Sequence, residues 1–142
     1  VLSIVIAESM RDRAAVFVIR GAVFVAEQNV PIEEEWDDRD PEADHFLARA
    51  DGVAVGTGRL VADGAEGILG RLAVLQRARG TGAGFALVRA VEERARERGL
   101  KAIELHAQTH AIGFYTRLGY VAYGDEFDDA GIPHRHMRKE LS

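Results

Sequence analysis

Gln76-Arg77-Ala78-Arg79-Gly80-Thr81-Gly82-Ala83-Gly84 is the stretch on which the fold of this chain turns. It stands between Glu66–Leu75, read as a strand, and Phe85–Arg98, read as a helix. Glycines at alternate positions permit a tight turn and keep side chains out of a ligand's way. The backbone N–H groups at the start of the helix then favour a phosphate or pyrophosphate, and Arg77 and Arg79 add positive charge beside it. No Gly-Lys-Ser/Thr follows, so this is not a nucleoside-triphosphate loop. The glycine interval also differs from the dinucleotide-binding fingerprint, and no acidic residue closes the next strand. A purely structural glycine turn is the competing reading.

Outward from this turn, Phe85, Val88, Val91 and Ala95 form one apolar helical stripe, and Glu92 with Arg96 reads as an i,i+4 pair on the polar side. Gly99 stops the helix, and Lys101–Ala107 follows as a strand with Ile103 and Leu105 on one face and Glu104 and His106 on the other. Strand, helix, strand over residues 66–107 makes a βαβ unit with parallel strands and a right-handed crossover. Upstream, His45–Ala50, Val53–Ala62 and Glu66–Leu75 read as an antiparallel meander turning at Asp51-Gly52 and Asp63-Gly64. Val1–Ala7 reads as a first strand. A helix follows over Arg13–Phe24, capped by Ser9 or Asp12 and running toward Glu27. Pro31–Ala43 is acidic and reads as a surface loop, in which Trp36 is either a lid or an anchor. Thr109 is read as the cap of a short helix ending at Leu118, and Tyr120–Tyr123 and Ile132–Lys139 as late strands around a polar loop. The expected fold is α+β (α/β in looser schemes): one domain, residues 1–142, with a mixed, mostly antiparallel sheet and helices on both faces.

Composition narrows the function. With 18 Lys and Arg against 23 Asp and Glu, the net charge of −5 disfavours a nucleic-acid binder. The absence of cysteine removes thiolate nucleophiles, disulfides and sulfur-built zinc sites. The five histidines show no metal-ligand spacing, so no metal is expected. No apolar run is long enough for a membrane span, and no basic stretch leads into an apolar one at the start, so a cytoplasmic protein is expected.

Three segments in order carry a family likeness. Arg79-Gly80-Thr81-Gly82-Ala83-Gly84 is similar to the phosphate-loop pattern Gln/Arg-x-x-Gly-x-Gly/Ala. Gly70-Arg71-Leu72-Ala73-Val74 looks like the strand that pairs with a pantetheine arm. Ala111-Ile112-Gly113-Phe114-Tyr115-Thr116-Arg117-Leu118-Gly119-Tyr120 looks like the Ala-x-x-Phe-Tyr-x-x-x-Gly-Phe/Tyr segment, with Gln108 where Asn is common. Together they resemble the GCN5-related N-acetyltransferase (GNAT) superfamily. Val23–Pro31, Leu105–Gln108 and Gly131–His134 narrow the resemblance to its ElaA-like branch.

The resemblance implies acetyl-CoA as cosubstrate, lying where two parallel strands part in a V. It places Leu72, Ala73 and Val74 at the pantetheine. The pyrophosphate falls to Arg77, Arg79, Gly80, Thr81, Gly82, Ala83 and Gly84, with Gln108 and Phe114 also on the cofactor side. Transfer to a primary amine of a small molecule or peptide would be direct, since no cysteine can carry an acyl group. Tyr115 is the expected acid for the leaving thiolate, and His106 and Glu27 are candidates to receive the amine's proton or hold the amine. His134 is a weaker candidate. Family members are often dimers, so a homodimer is expected. Two rivals remain: a non-catalytic acyl-CoA sensor, and an acyl-homoserine lactone synthase-like enzyme, whose order of residues Arg20, Phe24, Trp36 and Asp44 resemble.

Overall fold

The computed structural model describes residues 1–142. In chain order the strands are β1 (Leu2–Ile6), β2 (Asp44–Ala50), β3 (Val53–Asp63), β4 (Glu66–Val74), β5 (Ala102–Gln108), β6 (Val121–Asp129) and β7 (Ile132–Glu140). The helices are α1 (Met10–Arg20), α2 (Ile32–Glu35), α3 (Ala83–Glu97) and α4 (Ile112–Arg117). The strands form one sheet in the order β1-β2-β3-β4-β5-β7-β6. Every neighbouring pair is antiparallel except β4 and β5.

Helices cover both faces of the sheet. On one face Leu87, Val88, Val91 and Ala95 of α3 pack on Phe46, Leu60, Leu69, Ile103, Leu105 and Met137. On the other, Val16 and Ile19 of α1 with Val23 meet Leu47 and Ala73. Helix α1 lies against β2, β3 and β4. The opposite half of that face, over β5, β7 and β6, carries no helix, and the functional cleft opens there.

Helix α1 begins as its sequence indicates, with Ser9 Oγ accepting from the Asp12 N–H at 3.1 Å. Beyond Arg20 the coil widens to an i→i+5 pattern over Gly21–Glu27. Such segments recur at functional sites, and this one sets Phe24 and Gln28, four residues apart, on the cleft wall.

Several sequence expectations need correction. Glu92 is not on the polar side of α3: it is fully buried, accepts from Tyr120 Oη at 2.9 Å and pairs with Lys139 Nζ at 3.1 Å, while Arg96 reaches Glu93 instead. Position 92 lies one turn on from Val88, and a cation from β7 makes its burial tolerable. Phe85, placed in the core stripe by its spacing, is partly exposed and meets Phe114 edge-on. Thr109 caps nothing; the chain passes through a 3₁₀ turn, Thr109–Ala111, into α4 with no side-chain cap. The polar loop expected around Asp128 is part of a long hairpin whose two-residue turn is Ala130-Gly131, both at positive φ. Alanine gives no turn signal, which hid the hairpin.

The largest correction concerns the acidic stretch after Pro31, which is not merely a solvated loop. Glu35 and Asp40 are buried, and the Arg20 side chain that meets them is fully enclosed. Arg20 Nε donates to Glu35 Oε1 at 2.8 Å and Nη1 to Asp40 Oδ1 at 2.7 Å. Arg59 and Arg71 join the same cluster. Trp36 is an anchor: its ring lies edge-on to Phe17 at 5.2 Å and under the Arg20 guanidinium at 5.0 Å.

Candidate active site

Strands β4 and β5 are paired only from Gly67–Leu69 to Ile103–Leu105. Both run on, to Val74 and Gln108, without pairing. The parting coincides with a bulge in the β3–β4 ladder, where Arg71 takes φ of 53°. A bulge adds a residue and bends its strand, so β4 swings away just where pairing stops. Backbone groups on the β5-facing edge of β4 are thereby left for an extended ligand arm. The cleft so opened has a volume of about 1160 Å³.

One end of the cleft is the glycine turn. Gly82 immediately precedes α3 with φ of 91° and no side chain caps the helix. A Cβ at Gly80 or Gly82 would meet nothing within 4 Å, so the space in front of the helix is open. Uncapped N–H groups at the positive end of a fifteen-residue helix suit a pyrophosphate. Gly84 serves packing as well, because a Cβ there would stand 3.2 Å from Phe114 Cζ. Arg79, Gly80, Gly82, Ala83 and Gly84 line the cleft, as do Leu72, Val74, Gln108, Phe114 and Tyr115. Ala73, Arg77 and Thr81 do not. Ala73 points to the α1 side of the sheet as core, and the Thr81 hydroxyl donates to the Ala78 carbonyl. Substituting Gly82 by Ala forces a β-carbon into left-handed backbone at a cost of roughly 1–2 kcal/mol, and CoA affinity measured by calorimetry is expected to fall about tenfold.

Tyr115 is a buried aromatic in the cleft lining, edge-on to Phe114 at 5.0 Å and Tyr120 at 5.9 Å. Burial raises its phenol above the ordinary value, so it keeps its proton at any working pH. His106 faces the cleft from β5. Partial desolvation in the cleft, then the neighbouring His136 and His134, lower its pKa below the ordinary imidazole value. Its ring lies 4.6 Å from that of His136, its cross-strand partner. His134 Nδ1 donates to the Ile132 carbonyl at 2.7 Å.

Glu27 is placed differently from the other two catalytic candidates. Its Oε1 receives Arg79 Nη2 at 2.8 Å, and it does not line the cleft; Gln28 does, and its Oε1 accepts from Gln108 Nε2 at 2.8 Å. Arg79 also donates through Nε to the Val74 carbonyl at 2.9 Å. Asp44, the last member of the lactone-synthase-like series, pairs with Arg94 and Arg98 rather than with Arg20. No group of His, Asp and Glu side chains is arranged to hold a metal ion.

His136 and Arg59 went unnoticed in the sequence, and Arg71 was read only as part of the Gly70–Val74 strand. The period-two series His134, His136, Arg138 could have revealed the first, because alternate residues of a strand share a face. The two arginines gave no local signal, since their partners lie 19 to 36 residues away.

The comparisons agree with this geometry. A family model described as an acetyltransferase (GNAT) domain matches residues 7–141. The chain belongs to the GNAT acetyltransferase family. An uncharacterized N-acetyltransferase of Bacillus subtilis, YjcF, is 39% identical over 96% of this chain and 98% of its own length. ElaA of Escherichia coli is 30% identical over 94% of this chain and 90% of its own. The crystal structure of ElaA superposes with a TM-score of 0.85 over 99% of both chains, at 26% identity. That of a Pseudomonas aeruginosa acyl-CoA N-acyltransferase gives 0.84 over 98% of both, at 29% identity. This GNAT enzyme is of the ElaA-like branch, and it uses acyl-CoA as cosubstrate to acylate an amine. None of its helices is long and apolar enough to cross a membrane.

Proposed function

We propose that this GNAT enzyme transfers an acetyl group from acetyl-CoA to a primary amine of a small molecule or peptide by direct attack within a ternary complex. The observation that carries the reading is the pair of parted parallel strands leading from an open helix N-terminus to Tyr115. Free amides on the edge of β4, at Leu72 and Val74, would pair with the pantetheine arm and leave the thioester near the bulge. With both reactants held in one cleft, attack becomes effectively unimolecular.

The amine's lone pair attacks the thioester carbon, the C–N bond forms, and the C–S bond breaks as the electron pair leaves on sulfur. Tyr115 donates its proton to that thiolate and is restored from the solvent. His106 Nε2 or Nδ1 accepts, directly or through water, the proton that the acceptor's ammonium loses before the amine attacks. The second nitrogen proton, made acidic by C–N bond formation, leaves to water and balances the one that Tyr115 gives to sulfur and regains from solvent. Glu27 acts one step removed, holding Arg79 beside the glycine turn.

Release of free CoA thiol from acetyl-CoA, measured against polyamines, amino acids, aminoglycosides and lysyl peptides, tests the reading. Acceptor-dependent release supports it; tight acetyl-CoA binding with no release by any amine supports a sensor instead. The pH profile tests His106. Because its pKa is lowered, the acidic limb of kcat/KM is expected below the ordinary imidazole value of about 6.5. His106→Gln is expected to lower kcat/KM about tenfold and to flatten that limb; an unchanged limb assigns the proton to another group.

A further inference from the structure

Three arginines meet the buried acidic cluster, and they are used unequally. Every nitrogen of the Arg20 guanidinium has a partner: Nε binds Glu35 Oε1, Nη1 binds Asp40 Oδ1, and Nη2 binds the Glu35 carbonyl and Asp40 Oδ2. Arg71 spends Nε and Nη2 on the Glu35 carbonyl, and Nη2 also reaches Asp37. Arg59 contributes Nη1 alone, to Asp37 Oδ1 at 2.7 Å and Asp40 Oδ1 at 3.0 Å. Its Nε is buried with no acceptor, and its Nη2 makes no hydrogen bond. Yet the side chain is only 8% exposed and forms part of the cleft wall.

The idle edge has a direction. A Cβ built on Gly70 would lie 3.8 Å from Arg59 Nη2. Gly70 is the residue after Leu69, the last β4 position paired with β5. Arg59 Nη2 therefore sits where the strands part.

We infer that the acceptor is an amino acid or similar small amine bearing a carboxylate, and that Arg59 binds this carboxylate through its unpartnered Nη2; the inference rests on the acyl-transfer reading above. A charged N–H donor of this kind favours an anionic oxygen over a neutral one. Arg39, paired only with Glu42 at 3.5 Å, adds a cation to the lining of the same cleft. Glu66 and Glu104 in that lining are paired with Arg138, which leaves Asp63 and Asp129 as the carboxylates without an ion pair to meet the ammonium of a zwitterion. A neutral amide offers Nη2 only an uncharged acceptor, and a plain alkylamine offers none.

The test compares acceptors that differ only in this group: lysine, lysinamide and cadaverine, with a second series built on a shorter amino acid. For the wild-type enzyme, kcat/KM from thiol release is expected to be at least tenfold higher with the carboxylate than with either analogue, chiefly through KM. Arg59→Lys, whose single Nζ stays with Asp37 and Asp40 and leaves no donor in the place of Nη2, should bring the ratio close to one. If that variant does not fold, as judged by circular dichroism, the wild-type ratio decides. Calorimetric titration of the CoA-loaded enzyme with the same compounds reads the anchor without turnover. Binding that depends on the carboxylate but gives no thiol release keeps the anchor and sinks the transfer reading. Thiol release at equal efficiency with and without the carboxylate sinks the anchor alone, as does an unchanged ratio in a folded Arg59→Lys enzyme. Absence of any carboxylate dependence in both assays overturns the proposal.

Discussion

Tyr115→Phe is expected to lower kcat about a hundredfold while leaving acetyl-CoA affinity within twofold, as read by single-turnover thiol release and calorimetry. The change removes one oxygen from a ring that is otherwise held by Phe114 and Tyr120, so packing persists. The hydroxyl makes no hydrogen bond inside the protein, and its loss leaves no buried partner unsatisfied. Stability should therefore be nearly unchanged, which separates a chemical defect from a folding one. Because burial raises the phenol's pKa, the wild-type enzyme should show no loss of activity from Tyr115 ionisation at any pH below about 10. A variant with normal turnover would move the acid role to water or to another residue.

Arg20→Ala is expected to destabilise the fold by about 3–5 kcal/mol, the largest effect for any single change away from the reacting groups. It strands Glu35 and Asp40, both buried, and removes the cation stacked on Phe17 and Trp36. Urea denaturation measures the loss. Its pH dependence identifies the cause. Burial works to raise the Asp40 carboxyl, but hydrogen bonds from Arg20 and the Asp37 N–H, with the Arg20 charge and Arg59, bring it down to about 2. A depressed carboxylate contributes stability that is present above its unfolded value of about 3.9 and is lost as pH falls toward 2. Without Arg20 the stranded carboxyls take up protons in the folded state at higher pH. The gap between wild type and variant is thus expected to narrow from pH 7 to pH 4. A gap independent of pH would mean that lost packing, not lost charge pairing, dominates.

Local chemistry made the C-terminal half of the site readable. Glycine spacing between strand and helix needs no distant partner to be recognised, and the Phe114-Tyr115 pair lies on a short helix at a fixed distance from it. The N-terminal wall was not readable in the same way. Glu27 stands in a suggestive sequence, but its carboxylate is taken by Arg79, 52 residues away. Glu92 follows the helical pattern of an exposed residue, and its burial depends on Tyr120 and Lys139, 28 and 47 residues on.

What the sequence determined by itself is whatever depends on near neighbours: the strands from alternation, the helices from stripe and stop, the glycine turn, the parallel βαβ pairing and the absence of a cysteine route. The tertiary structure decided whatever depends on charge meeting charge across the chain. It turned an apparently solvated acidic run into a buried brace, brought His136 beside His106, and left one edge of Arg59 without a partner at the mouth of the V. The physical reason is that a charged side chain carries no mark of its burial. Its cost is set by the desolvation it suffers and the partner it finds, and both are properties of the assembled fold.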